Sequence, residues 1–243
     1  MITLTAGEIG LLVGGEMHCD KDLLVSKAPV FDSRKATPGC IFLALQGEVV
    51  DGHDYAADAY RAGAMFSLTT KRIDGPCIVV EDVIEALSIL ATFVRKRLTN
   101  LTVIGITGSQ GKTSTKDLMS HMLSAVGPTV SPAGSFNNDL GLPITLLECD
   151  EHTEYCILEM GARHKGDIAR LCEIAQPNIG VVLTVGTAHL GEFGSVEAIA
   201  ETKSELIQTL RPDGIAVLGT YDKYTPAMAS LHSGRTINFG NGC

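Results

Sequence analysis

The 243-residue sequence has no C-x-x-C pair, no excess of basic residues and no apolar run long enough to cross a bilayer. Each absence closes off a class of function. Its seven cysteines, at 19, 40, 77, 149, 156, 172 and 243, are odd in number and scattered. That pattern argues against structural zinc and a disulfide framework, and it fits a reducing, cytoplasmic setting. Nineteen Lys and Arg stand against 28 Asp and Glu, a net charge of -9. A nucleic-acid or anionic-membrane surface rewards clustered cations, so neither is expected, although a local cationic pocket for a phosphorylated ligand is compatible with the total. The opening "MITLTAGEIGLL" lacks the basic region of a secretory signal. The uncharged stretch from Asn178 to Gly191 is too short and too polar to span a membrane.

What remains is an ordinary globular composition, 45% hydrophobic and 19% charged, long enough for one large domain or two small ones. Short apolar runs alternate with helical patterns. Strands are expected at 40–45, 64–68, 77–80, 155–159, 179–185, 215–218 and 236–239, with helices near 55–63, 166–175 and 195–210. In "EDVIEALSILATFVRKRL", Val83, Leu87, Leu90, Val94 and Leu98 fall at helical spacing, with acids leading and bases closing the segment. After "TN" at 99–100 the pattern restarts as strand, loop and helix. The expected fold is α/β with parallel sheets, divided into domains 1–98 and 99–243.

The most informative stretch is "GITGSQGKTSTK", residues 105–116. A phosphate loop needs backbone N–H groups converging on an anion, glycines that permit that backbone, and a helix N-terminus behind it. Gly108 and Gly111 supply the permissive backbone around Ser109 and Gln110. Lys112 supplies a charge for β/γ-phosphate oxygens, and the hydroxyls of Thr113 and Ser114 follow, Thr113 suiting a magnesium ion. The strict Walker pattern wants glycine where Ile106 stands. A bland alternative is a strand-to-helix turn with an exposed lysine.

Three further residues stand out. Glu159 ends the strand "YCILE", where α/β sheets present ligand groups, though many strands end in an ordinary acid. His189 in "GTAHLGEFGS" is a lone histidine, a type more often structural than ligating. Lys203 lies on the apolar stripe of the helix after Ser195, seven residues past Val196 and three before Leu206. A lysine facing inward must snorkel, pair with a charge or lose its proton.

"ITGSQGKTSTK" resembles the ATP loop of the Mur ligases, in which T-G-x-x-G-K-[ST] is the usual form. "FDSRKATPGCIFLALQGEVVDGHDYAADAYRAGA" (31–64) resembles the family's N-terminal UDP-binding domain. "GSFNNDLGLPITLL" (134–147), "LEMGARHKGDIARL" (158–171) and "GTAHLGEFGSVEAIAETKSEL" (186–206) narrow the resemblance to the branch that adds a terminal dipeptide. There the N-N-x-x-G-x-P run replaces the Thr-Thr-Pro of the branch adding the third residue.

The resemblance implies an ATP- and magnesium-dependent ligase joining D-alanyl-D-alanine to UDP-N-acetylmuramoyl-tripeptide through an acyl phosphate. It makes 1–98 the UDP-muramoyl-peptide domain and 99–243 an ATP-binding domain whose sheet is incomplete. Glu159 and His189 become metal-site residues beside Thr113. Lys203 becomes the site of a carbamate that helps position magnesium. Asn137 and Asn138 become nucleotide and substrate contacts, against a bland reading as turn formers. Ser33, Arg34, Gln46, Gly47 and His53 fall in UDP-binding segments. Thr184 departs from an Asn common in relatives, which puts any contact made by that amide in doubt. Two other functions stay open: a non-catalytic nucleotide- and UDP-sugar-binding protein, and a folylpolyglutamate synthase-like ligase. Because family members continue further, this chain alone is expected to bind nucleotides without ligating. It is expected to be a monomer, open to association through a sheet edge near 236–239.

Overall fold

The computed structural model describes residues 1–243 except Ala133, His189 and Cys243. The chain forms two compact units: Met1–Arg97 joined by Leu147–Glu151, and Leu98–Leu146 joined by His152–Cys243. No helix among the described residues is long and apolar enough to cross a membrane.

In the first unit a four-stranded sheet runs in the order Glu16–His18, Cys77–Val79, Phe66–Thr69, Ile41–Leu43. The last three strands are parallel, and Glu16–His18 pairs antiparallel at the edge. That edge strand departs from the all-parallel expectation. It follows the helix Ala6–Val13 after a turn at Gly14 and enters the sheet beside Cys77–Val79. Local signals start and stop the helices. Thr5 and Glu8 form a reciprocal capping box for Ala6–Val13, and Gly14 ends it at φ +65°. Asp82 accepts from the amides of Ile84 and Glu85 at 2.7 and 3.1 Å, starting Val83–Arg97. That helix buries Leu87, Leu90 and Val94 and leaves Lys96 and Arg97 in solvent at its C-terminal end.

The second unit is built on a six-stranded sheet, all parallel, in the order Arg235–Phe239, Ile215–Gly219, Ile179–Val182, Thr102–Thr107, Tyr155–Glu159, Thr129–Val130. The central strand Thr102–Thr107 is buried almost throughout, as a run of apolar residues covered on both faces must be. Ile104, Ile106, Ile157, Val181 and Leu183 form a core against which Met119 and Leu123 of the helix Lys112–Ser124 pack. Because the strands are parallel, their C-terminal ends share one edge. The chain leaves Thr102–Thr107 toward one side of the sheet and Ile179–Val182 toward the other. The crevice between those strand ends is therefore the topological switch point, where open α/β sheets take ligands.

Candidate phosphate-loop site

The strand Thr102–Thr107 runs directly into the glycine-rich turn and then into the helix Lys112–Ser124. Gly111 is the N-cap of that helix at φ +83°, a conformation that disfavours any side chain, and no side chain caps the helix there. Its first N–H groups are thus available to an anion. Gly108 is required for a second reason: a Cβ there would meet Leu183 Cβ at 3.0 Å and Gln110 O at 3.3 Å.

Ser109 pins the turn from below. It is buried, its amide donates to Thr184 O at 2.9 Å, and its hydroxyl accepts from the Gly186 amide at 2.8 Å. Gln110, Gly111 and Ser114 are exposed, while Lys112 and Thr113 are half-buried. The Lys112 ammonium donates to Gly108 O at 2.8 Å, closing the loop on itself.

Glu159 ends the strand beside the loop strand and is fully buried, and among the described residues neither carboxylate oxygen has a hydrogen-bond partner. Two orphaned acceptors at a strand end are exceptional, because buried polar groups are almost always paired. Burial lowers the pKa of Lys112 and the Glu159 charge raises it again, so the two side chains feel each other directly. Lys203 is buried on the helix Val196–Gln208, whose N-terminus Ser195 caps by accepting from the Ala198 amide at 3.1 Å. Its pKa is pushed down to about 8, first by burial and then by the charge of Lys112. Lys112, Glu159 and Lys203 therefore form one electrostatic cluster. Glu205, two residues on, accepts from the amides of Gly166 and Ala169 at 2.7 and 3.0 Å, which ties this helix to the segment after Glu159.

A magnesium ion fits this cluster: hard cations take oxygen ligands, and Glu159 offers two oxygens with no hydrogen-bond partner among the described residues. Among the described residues no group of three or more His, Cys, Asp or Glu converges on such an ion. His189 lies outside the described residues. Asn138 accepts from the Gly141 amide at 3.0 Å and so starts the helix Gly141–Leu147, and the Asn137 carbonyl accepts from the Gly161 amide at 2.9 Å. The turn chemistry weighed for these asparagines is real for Asn138.

In the first unit, Gln46, Gly47 and His53 share one loop. Gln46 bridges Asp51, Gly47 donates to Val50 O at 2.9 Å, and buried His53 pairs through Nδ1 with Asp51. Lys71 donates to the other Asp51 oxygen at 2.9 Å, and chiefly for that reason the Asp51 carboxyl titrates far below its usual range. A cavity of about 460 Å³ opens beside His53, Lys71 and Arg72. Ser33 and Arg34 lie on a separate 3-10 turn. The Arg34 guanidinium is held by Asp32 through two bonds of 2.8 Å, which lowers the Asp32 pKa to about 2.

Sequence reasoning missed Asp51, Lys116 and Asp222. Lys116 is buried, yet its ammonium meets three acceptors: Pro132 O at 2.7 Å, Gly134 O at 3.2 Å and Asp117 at 2.8 Å. Of the three, Asp51 alone left a local signal, an Asp two residues before His53 at the start of a short 3-10 turn.

Comparison with known proteins agrees with this architecture. Residues 106–242 match the model of the Mur ligase middle domain, and 30–89 match that of the Mur ligase family catalytic domain. A UDP-N-acetylmuramoyl-tripeptide–D-alanyl-D-alanine ligase of Mycobacterium bovis is 47% identical over 98% of this chain and 52% of its own length. Its Escherichia coli counterpart is 38% identical over 90% of this chain and 48% of its own. A crystal structure of MurF from Acinetobacter baumannii superposes with a TM-score of 0.88 at 35% identity, covering 99% of this chain and 54% of that one. A MurF ligase from Thermotoga maritima in complex with ADP superposes with a TM-score of 0.78 at 35% identity, covering 92% and 52%. The chain spans about half the length of the curated relatives it matches.

Proposed function

The chain belongs to the Mur ligase family, and from that premise we propose that it serves an ATP-dependent ligase joining D-alanyl-D-alanine to UDP-N-acetylmuramoyl-tripeptide. The observation that carries the reading is the buried, unpartnered Glu159 carboxylate coupled to Lys112 of a glycine-rich loop. The names of relatives at 38 to 47% identity supply the substrates. The second unit is the ATP-binding domain in this proposal. The unit holding Ser33, Arg34, Gln46, Gly47 and His53 takes the UDP-muramoyl peptide.

A carboxylate is a poor electrophile, so the tripeptide carboxylate attacks the γ-phosphorus of ATP, ADP departs, and an acyl phosphate forms. The dipeptide amine then attacks the acyl carbon and phosphate leaves. The protein's task is to neutralise clustered charge and to align the reactants. The free N–H groups at Gly111 and the start of its helix bind phosphate oxygens. Lys112 exchanges its bond to Gly108 O for the β/γ-phosphates. Thr113 and Glu159, with His189 and a carbamylated Lys203, would hold magnesium, which when bound supplies charge neutralisation on the phosphates.

With a pKa of about 8, Lys203 carries a neutral amine in about a tenth of molecules at pH 7. That amine can add to CO₂ and release a proton to give the anionic carbamate. The nearby Lys112 charge, which disfavours the ammonium, would then stabilise the anion.

Calorimetric titration of the chain with MgADP and with UDP-muramoyl tripeptide tests the proposal. Binding of both ligands is expected, and absence of either removes the corresponding assignment. Ligation itself is tested by pentapeptide formation in a fusion of this chain to the C-terminal part of a full-length relative.

A further inference from the structure

We propose that Asp222 is a positioning residue for the phosphate loop, acting through the 184–186 segment on Ser109. The inference rests on the nucleotide reading of residues 108–113. It starts from a carboxylate in the loop after the strand Ile215–Gly219 that gathers donors from two segments. Oδ1 accepts from the amides of Tyr224 and Thr225, both at 2.8 Å, and so fixes its own loop. Oδ2 accepts from the Thr225 hydroxyl at 2.8 Å and, across the strand ends, from the Val185 amide at 2.9 Å and the Thr184 hydroxyl at 3.1 Å.

The segment held by Oδ2 in turn holds the phosphate loop. Thr184 O takes the Ser109 amide, and the Gly186 amide donates to the Ser109 hydroxyl. This relay follows the sheet: Leu218 is in register with Val182, and Val182 with Thr107, so the three loops leave adjacent strand ends. Ser109 sits between Gly108 and Gly111, the residues that give the loop its backbone freedom. A glycine-rich turn loses entropy when it orders around an anion, and a turn already held in place binds more tightly. The other tie, from Lys112 to Gly108 O, uses the ammonium that a phosphate would claim. Ser109 is therefore the anchor that persists with ligand bound, and Asp222 holds what Ser109 is anchored to.

The arrangement requires a carboxylate. Every partner of Asp222 is a donor, and both oxygens are used. In Asp222→Asn an NH₂ group replaces one oxygen and must face donors whichever way the amide turns. Burial alone would raise the pKa of Asp222, but the bonds from Val185, Thr225 and Tyr224 outweigh it and hold the carboxyl below its usual range. Thr184 contributes its hydroxyl to this clamp, which gives the threonine a role a larger amide would fill differently.

The test compares backbone hydrogen exchange in wild type and Asp222→Asn. Exchange at Val185, Gly186 and Ser109 is expected to quicken together by about tenfold or more, with Ile157 in the neighbouring strand unchanged. The Kd for MgADP should rise about tenfold while UDP-muramoyl tripeptide binding is unaltered. Combining Asp222→Asn with Ser109→Ala should weaken MgADP binding little further than the stronger single change, because both cut one relay. Faster exchange at Val185 with Ser109 unaffected, or additive losses in the double variant, overturns the proposal. If Asp222→Asn does not fold, Thr184→Val removes one link and is read by the same exchange at Ser109. If wild type binds no MgADP, the nucleotide reading fails, while the exchange pattern still decides the role of Asp222.

Discussion

Replacing Glu159 with methionine separates a site residue from a structural one, because stability and binding should move in opposite directions. In wild type, two carboxylate oxygens are buried without hydrogen-bond partners among the described residues, on a fully covered strand end. An unsatisfied buried polar group costs about 1–3 kcal/mol, and a methionine of similar length removes that cost while filling the same space. Part of the gain is lost, because Lys112 forfeits a favourable charge partner. Lys112 keeps its bond to Gly108 O, so the net change should remain a stabilisation of about 1–2 kcal/mol. For a chain of this size that is about 2–8 °C in Tm. The response to ligand should be opposite. At a hundred times its Kd, MgATP stabilises a binding protein by about 2.7 kcal/mol, and Glu159→Met should lose most of that shift. Thermal denaturation monitored by circular dichroism, with and without MgATP, reads both quantities. A variant less stable than wild type without ligand, or one with an undiminished MgATP shift, would refute the reasoning.

The remaining expectations follow from the same cluster. Lys112→Ala should weaken MgATP binding by about 10- to 100-fold, since it removes charge-assisted bonds to phosphate, and should also lower Tm, because the buried Glu159 loses its charge partner; calorimetry and thermal denaturation check this. Lys203 has a folded pKa of about 8, below the 10.5 of its unfolded form, so the unfolded chain binds more protons between those values and stability must rise with pH across that window. In CO₂-free buffer the wild type should therefore gain up to about 3 kcal/mol relative to Lys203→Met between pH 8 and 10.5, read by urea denaturation at each pH. A flat difference would show that Lys203 is not buried as an ammonium. In a fusion of this chain to the C-terminal part of a full-length relative, Lys203→Ala should lose magnesium-dependent phosphoryl transfer and regain part of it with a short added carboxylate; full activity without rescue would count against the carbamate. Lys116→Ala leaves Pro132 O and Gly134 O without their donor and should cost about 2–3 kcal/mol of stability, again by urea denaturation.

Much of this molecule is written in local pattern. The alternation of strands and helices, the glycine-lysine loop at 105–116 and the inward position of Lys203 all follow from residues close in sequence, because periodicity and turn chemistry act over a few residues. The short elements escaped. Thr129–Val130 and Glu16–His18 are too brief to show a period, and only their neighbours in the sheet make them strands. Polar pairing escaped for a deeper reason. That Glu159 has no hydrogen-bond partner among the described residues, that Lys116 meets the Pro132 and Gly134 carbonyls, and that Asp222 reaches Ser109 through Thr184 and Gly186 depend on which strand ends lie side by side. Strand order is set by how the whole sheet covers its apolar faces, and hydrogen bonds between loops remote in sequence exist only once that order is made. The sequence by itself determined the loop that can take a phosphate; the assembled sheet decided what holds it in place.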